Sequence, residues 1–223
     1  MPVDPERLHD EDWRLHKPDD SRLASSGRFV RILEMVEMLR PAAVLDIGCG
    51  SGYLGGRIKS RCSGSTVDGV DISTVALERA RAQLDRVWHV NLDAADLPAS
   101  AGTYDLVIAS EVIEHLYDPH HATAEIARVV RSGGHAILTV PNLAYWRYRL
   151  DLLRGRLPLP ADDERHLHQF TARHFGALGA AHGFVLDALS GHGTRLPALA
   201  RRWPAVFSDT LIALFRKPTR GMP

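Results

Sequence analysis

Cysteine is nearly absent: two residues, Cys49 and Cys62, stand in unrelated contexts in a chain of 223. No disulfide framework and no paired-cysteine metal site is available, and a reducing cytoplasm is the expected location. An excess of one charge is also missing, since 27 Lys and Arg face 27 Asp and Glu. A chain of zero net charge offers no general field for a polyanion, so a nucleic acid partner is not expected, although twelve His leave room for a local patch. No apolar run approaches the ~18–20 residues that span a bilayer. The polar, acidic start Met1-Pro2-Val3-Asp4-Pro5-Glu6 does not read as a signal peptide. A membrane partner is therefore not expected, nor is any internal repeat or low-complexity tract visible.

What is present reads as one domain. Domains usually hold ~100–200 residues, and a 45% hydrophobic share is enough for a core without staples. Residues 1–25 are charged, carry Pro2, Pro5 and Pro18, and are expected to form a loosely ordered arm before a domain over 26–223. Phe29, Ile32, Leu33, Val36 and Leu39 place an apolar stripe on a helix that ends before Pro41. Short apolar runs then alternate with helical segments. Strands are expected at Val44 to Ile47, Val67 to Ile72, Val87 to Leu92, Tyr104 to Ser110 and, after a Gly133-Gly134 turn, His135 to Val140. Helices are expected at Tyr53 to Arg61, Thr74 to Leu84 and Pro119 to Arg131. That rhythm predicts an α/β fold with a parallel sheet, because parallel neighbours need a crossover. After Pro141 the rhythm breaks. Residues 142–169 form an irregular, aromatic and basic insertion, too long for a mere connection and read as lying on the substrate side. For Tyr145-Trp146-Arg147-Tyr148-Arg149 the simple reading is a helix with its aromatics inward and its arginines in water. Thr171 to Ala181 resumes as a helix. Phe184 to Leu189 and Asp209 to Phe215 then read as two strands free to lie antiparallel at the sheet edge. Arg195, Arg201, Arg202 and Trp203 in the connection between them suit solvated surface or a dimer contact, so monomer and homodimer both stay open.

The stretch Val44-Leu45-Asp46-Ile47-Gly48-Cys49-Gly50-Ser51-Gly52-Tyr53 carries the most chemistry. A strand runs through a glycine-rich turn into a helix, where the backbone must turn tightly and approach a ligand. Unpaired N–H groups at the helix start suit a carboxylate. A dinucleotide fingerprint would place glycine at position 53, which is Tyr53, and no Gly-Lys-Ser/Thr of a P-loop follows. Asp46 before the glycines suits a ligand with an ammonium group better than a pyrophosphate. Asp71, at the end of the second strand, fits both hydroxyls of a ribose, though it also suits the cap of the helix near Ser73. After the third strand, Asp93 fits an adenine amino group, while Asp96 reads as a turn residue.

These residues together with Tyr104-Asp105-Leu106-Val107 to His115 resemble, in order over 42–141, the class I S-adenosylmethionine-dependent methyltransferases. The resemblance implies a Rossmann-like, seven-stranded, mostly parallel sheet with helices on both faces and an antiparallel C-terminal edge strand. It implies S-adenosylmethionine as cofactor, with Asp46, Gly48, Cys49, Gly50 and Gly52 around the methionine moiety and Asp71 on the ribose. Asp93 is then on the adenine, Ile72 and Ala94 flank its ring, and Ser110 closes the fourth strand. Beyond it, Glu111-Val112-Ile113-Glu114-His115 faces the acceptor side, where His115 is the candidate base and Glu111 and Glu114 orient the site. The alternative for His115 is a purely local hydrogen bond.

Three readings follow. Glu111 to Pro119, then Arg128 to Gly134 and Val140-Pro141-Asn142, are similar to ubiquinone-pathway O-methyltransferases, which implies a small-molecule methyl acceptor. The order from Pro141 to Pro158 and His166 to Thr171 resembles MetW-type proteins of methionine biosynthesis, which implies a protein partner. Finally, if Glu111 to His115 is helical, Glu111, Glu114 and His115 share one face, and His166 or His168 completes a divalent-metal site. That set is similar to the metal-dependent RNA 3′-terminal 2′-O-methyltransferases. No metal is the expectation under the first reading.

Overall fold

The computed structural model describes residues 5–15, 26–193 and 195–219. In chain order it contains α1 (Pro5–Leu15), α2 (Gly27–Leu39), β1 (Ala43–Ile47), α3 (Tyr53–Arg61), β2 (Thr66–Asp71), α4 (Thr74–Ala80) and β3 (Arg86–His89). Then come β4 (Tyr104–Ser110), a 3₁₀ turn (Ile113–His115), α5 (Pro119–Val129), β5 (Val130–Pro141), α6 (Trp146–Leu153) and α7 (Leu159–Asp162). The chain closes with α8 (Ala172–Ala181), β6 (Val185–His192), α9 (Pro197–Arg202), α10 (Pro204–Phe207) and β7 (Thr210–Arg216). One seven-stranded sheet runs β3-β2-β1-β4-β5-β7-β6. Its first five strands are parallel, and β7 runs antiparallel between β5 and β6. The expected seven-stranded, mostly parallel sheet is therefore present; the antiparallel C-terminal strand β7 lies one place inside the edge, and β6 is outermost.

Alternation along the central strands feeds two apolar layers. In β4, Leu106 and Ile108 join Ile32, Met35, Leu54 and Ile58 of α2 and α3, whereas Val107 and Ala109 join Ile126, Val129 and Phe175 of α5 and α8. Both layers are covered by helices, so Val44 to Ile47 are buried without a break. The first reversal of strand order lies between β1 and β4, and ligands of such sheets bind beyond the carboxyl ends there.

Several elements depart from their expected bounds. β3 stops at His89 because Asn91 Oδ1 accepts from Asp93 N at 3.0 Å, turning the chain out of the ladder. α4 stops at Ala80, and Leu84 then tucks in beside Gly55 and Gly69. The Gly133-Gly134 turn lies inside β5, where the pairing jumps from Tyr104↔Val130 to Leu106↔His135. The 142–169 stretch holds α6 and α7, and its start is pinned by Asn142, whose Nδ2 donates to Ser208 O at 2.8 Å. In the N-terminal arm, Pro5–Leu15 is helical rather than loosely ordered, and it packs against α4. The rest of that arm, 1–4 and 16–25, lies outside the described residues. Among the described residues no helix is long and apolar enough to cross a membrane.

Candidate cofactor and acceptor site

Beyond β1 the chain enters a loop that only glycine accommodates. Gly48 and Gly50 have φ of 67° and 53°. A Cβ on Gly48 would lie 2.5 Å from Val112 Cγ2, and one on Gly50 would lie 2.8 Å from Trp13 Cζ2. Gly52 serves packing, since its Cβ would press on Ala80 and Leu84. The loop is tied to β2, with Gly48 N and Cys49 N both donating to Val70 O. Asp71 completes the tie. Its Oδ2 accepts from Gly50 N and its Oδ1 from Ser73 N, each at 2.8 Å. Burial pushes the Asp71 carboxyl up, against the downward pull of those two N–H groups and of His9. The cap of α4 is Ser73, whose hydroxyl accepts from Ala76 N, so Asp71 is not the cap.

Helix α1 lies over this loop. Asp10 accepts from Ser73 Oγ at 2.6 Å, Thr74 Oγ1 at 3.0 Å and Val75 N at 3.3 Å, fastening α1 to the start of α4. The helix brings His9 and Trp13 to a cavity of about 250 Å³ bounded by Gly48, Gly50, Asp71 and Asp93. Asp93 is held by Tyr117 N, which donates to its Oδ1 at 2.8 Å. Of the residues expected at the site, Gly48, Gly50, Asp71, Ile72, Asp93, Glu111 and His115 line this cavity. Asp46, Cys49, Gly52, Ala94, Ser110, Glu114 and His168 are not among its lining residues. Cys49 packs its sulfur against Gly69, and burial together with the Asp46 charge pushes its thiol up, which leaves it inert. Ala94 is exposed, and Ser110 Oγ lies 3.3 Å from Thr139 Oγ1. Asp46 sits below the loop, 2% exposed, with Oδ2 lacking any partner. Burial, then the Asp71 charge, pushes its carboxyl up to about 8.

The segment after β4 is not one helix, so Glu111, Glu114 and His115 do not share a face. Glu111 has φ 58°, a left-handed conformation that costs a non-glycine residue roughly 1–3 kcal/mol. Its N–H donates to Thr139 Oγ1 at 3.0 Å, and its carboxylate meets Arg28 at 3.0 Å. This residue also lines a second cavity of about 390 Å³ with Tyr148, Leu159, Asp163, His166 and Asp209. Glu111 thus stands between the two spaces. Glu114 is fully buried, with neither carboxylate oxygen hydrogen-bonded. Burial, then the Glu111 charge, pushes its pKa well up. Ligand-type atoms of Glu114, His115 and His166 lie within 4.8 Å of one another. His168 does not join them: its Nε2 lies 3.3 Å from Tyr117 O. Of the expected set, Glu111, Glu114 and His115 with His166 or His168, the structure brings together Glu114, His115 and His166, and Glu111 falls out because a 3₁₀ turn replaces the helix assumed for it. His9 and Trp13 carry no local signal in the sequence beyond their i, i+4 spacing on α1.

A glycine cradle, a buried carboxylate on the second strand and a buried acid beneath the cradle fit a nucleoside ligand that also carries an ammonium group. The fold and this site together define the class I S-adenosylmethionine-dependent methyltransferase architecture. The sequence profile described as a methyltransferase domain matches residues 27–189. A probable S-adenosylmethionine-dependent methyltransferase of Mycobacterium tuberculosis is 33% identical over 172 residues, 76% of this chain and 59% of that protein. A ubiquinone biosynthesis O-methyltransferase of Vibrio parahaemolyticus is 34% identical over 116 residues, 50% of this chain and 48% of that protein. The chain spans about half to three-fifths of the length of these relatives. Magnesium protoporphyrin IX methyltransferase from Synechocystis, solved with bound SAH, superposes with TM-score 0.69 at 18% identity, covering 95% of both chains. A Haloferax volcanii chain solved with the Trm112 methyltransferase activator gives 0.68 at 18%, covering 96% of this chain and 99% of that one. The chain belongs to the methyltransferase-domain family.

Proposed function

We propose that the chain transfers a methyl group from S-adenosylmethionine to an oxygen of a small-molecule acceptor, with His115 as the base. The observation that carries this is the state of His115. Its Nδ1 lies 2.9 Å from Arg165 O, so that nitrogen donates and Nε2 is left as the acceptor. Burial lowers its pKa, keeping the ring neutral and able to take a proton. Bound S-adenosylmethionine supplies an electrophilic methyl on its sulfonium. The chain's own work is to hold that cofactor, with Asp71 on the ribose, Asp93 on the adenine amino group and Asp46 balancing the ammonium charge from below. Glu111, fixed by Arg28 and Thr139, separates the cofactor cavity from the second one, which suits an acceptor. The O-methyltransferase relatives support oxygen as the methylated atom.

His115→Gln is expected to lower turnover by about 10²–10⁴-fold on a responsive acceptor from a panel of catechols and phenols, with cofactor affinity nearly unchanged. Radiolabelled methyl transfer and calorimetry read the two quantities separately. Turnover equal to that of the unaltered protein would leave His115 only the task of holding Arg165.

A second reading is favoured by Glu114. A fully buried carboxylate with both oxygens unpartnered, beside two imidazoles, is a donor set suited to a divalent transition metal. Glu114, His115 and His166 would hold the ion, which would act as a Lewis acid on an acceptor hydroxyl. Dialysis against a strong chelator, then calorimetric titration with Mn²⁺ or Zn²⁺, is expected to show one site per chain that Glu114→Gln removes. Turnover insensitive to the chelator and no heat of binding would return Glu114 to a neutral, buried acid.

A further inference from the structure

Among the described residues, the most exposed large apolar side chains in one stretch lie far along the chain from the cofactor loop, at the end of α6 and the turn after it. No residue of α6 is buried. All six residues from Leu152 to Leu157 are exposed, and Leu153, Leu157 and Leu159 are 83%, 67% and 76% accessible. Pro158 and Pro160 are buried, so the segment is anchored at its base while its leucines stay in water. Such a cluster of large apolar side chains on one short protrusion marks an interaction surface rather than scattered exposure.

Charge identifies the partner. Between residues 146 and 160 stand Arg147, Arg149, Arg154 and Arg156 against the single acid Asp151. Arg149 Nε is taken up by Ala144 O at 2.7 Å, whereas the side chains of Arg154 and Arg156, set directly between the exposed leucines, make no hydrogen bond or ion pair among the described residues. A two-fold contact with a second copy would set this patch against itself and bring those guanidinium groups together. An apolar surface interleaved with unpaired arginines matches instead the boundary of an anionic bilayer. There leucines enter the acyl region and guanidinium groups meet headgroup phosphates.

We propose that the Leu152–Leu159 protrusion docks this protein onto an anionic lipid surface. The inference goes beyond the methyl-transfer reading and does not depend on it. It also revises the expectation of no membrane partner, which rests on the lack of a spanning run; a segment lying in the interface needs no span. The same protrusion supplies Leu159 and Pro160 to the second cavity, so a surface that seats the protrusion also steadies that cavity.

The test is flotation of the full chain with vesicles of phosphatidylcholine alone and of phosphatidylcholine mixed with phosphatidylglycerol. Partition onto the mixed vesicles is expected to exceed that onto the neutral ones by about tenfold or more, and to weaken as salt is raised. Leu153→Ser with Leu157→Ser, and separately Arg154→Glu with Arg156→Glu, are each expected to lower it by about tenfold or more. Cofactor affinity and the circular dichroism spectrum should not change in either double variant. Failure of the unaltered protein to float, or flotation of both double variants equal to that of the unaltered protein, overturns the proposal. So does a dimer in sedimentation velocity that the leucine variant dissociates, since the patch would then belong to a second copy. None of these outcomes bears on methyl transfer.

Discussion

Replacing Asp71 with alanine is expected to weaken S-adenosylmethionine binding about a hundredfold or more while the sheet stays intact. The carboxylate has two tasks. Its oxygens accept from Gly50 N and Ser73 N, holding the glycine loop against the end of β2, and their remaining lone pairs border the cofactor cavity. Charge-assisted bonds of this kind contribute about 1.5–3 kcal/mol each, so losing two toward the ribose accounts for the effect. The strand itself pairs through its backbone, with Asp71 opposite His89, so the fold survives. Asp71→Asn keeps the shape but turns an amide donor toward one of the two N–H groups, and its affinity should fall between the other two. Because burial raises the pKa of Asp71, affinity should also drop as pH falls, at a higher pH than an ordinary aspartate would give. Calorimetry over pH reads both effects, and an unchanged dissociation constant in the alanine variant would remove Asp71 from the cofactor site.

The parallel half of the fold was legible because its signals are local. Leu106 to Ala109 is a continuous apolar run, and Val44 to Ile47 is apolar but for Asp46, as strands buried on both faces must be. Gly48 and Gly50 announce the loop through a backbone conformation that other residues avoid. Helix α1 was hidden for the opposite reason. The prolines and charges of residues 1–25 suggest a loose arm, and tertiary contacts such as Asp10 onto Ser73 and Thr74 hold the helix over the site. Nothing local marks an acid as the latch of a helix found more than sixty residues away. The segment after Ser110 misled in a similar way. A period of three and four residues makes Glu111, Glu114 and His115 neighbours on a helix, but the left-handed Glu111 breaks that geometry. That break sends one carboxylate to Arg28 and leaves the other buried without a partner. His166 could be told from His168 only by knowing that His168 is taken by Tyr117 O.

Asp46→Asn is expected to act in two opposite directions, stabilising the ligand-free fold while weakening cofactor binding. Asp46 is 2% exposed, its Oδ2 has no partner, and its pKa rises from 3.8 to about 8. A folded-state pKa above the unfolded one means that the stability is fully present below the unfolded value and is lost as pH rises toward the folded one. The window spans about four pH units, each worth about 1.4 kcal/mol, so the ionising acid withholds up to about 4 kcal/mol from the ligand-free protein at neutral pH. Asparagine removes the charge but leaves an amide without partners, which returns about 1–3 kcal/mol of that gain. The variant should therefore melt several degrees above the parent at pH 8, at roughly 2–4 °C per kcal/mol for a domain of this size. That difference should shrink toward pH 5 and stop growing above pH 8. The second effect follows from the same charge. An ammonium-bearing cofactor above a buried carboxylate offsets the cost of ionising it, and asparagine forfeits that attraction, so the dissociation constant should rise about tenfold. Thermal melts across pH with calorimetry decide the matter together. A variant that melts below the parent at pH 8, or one that binds the cofactor equally well, would show that Asp46 is not a buried charge waiting for its counterion.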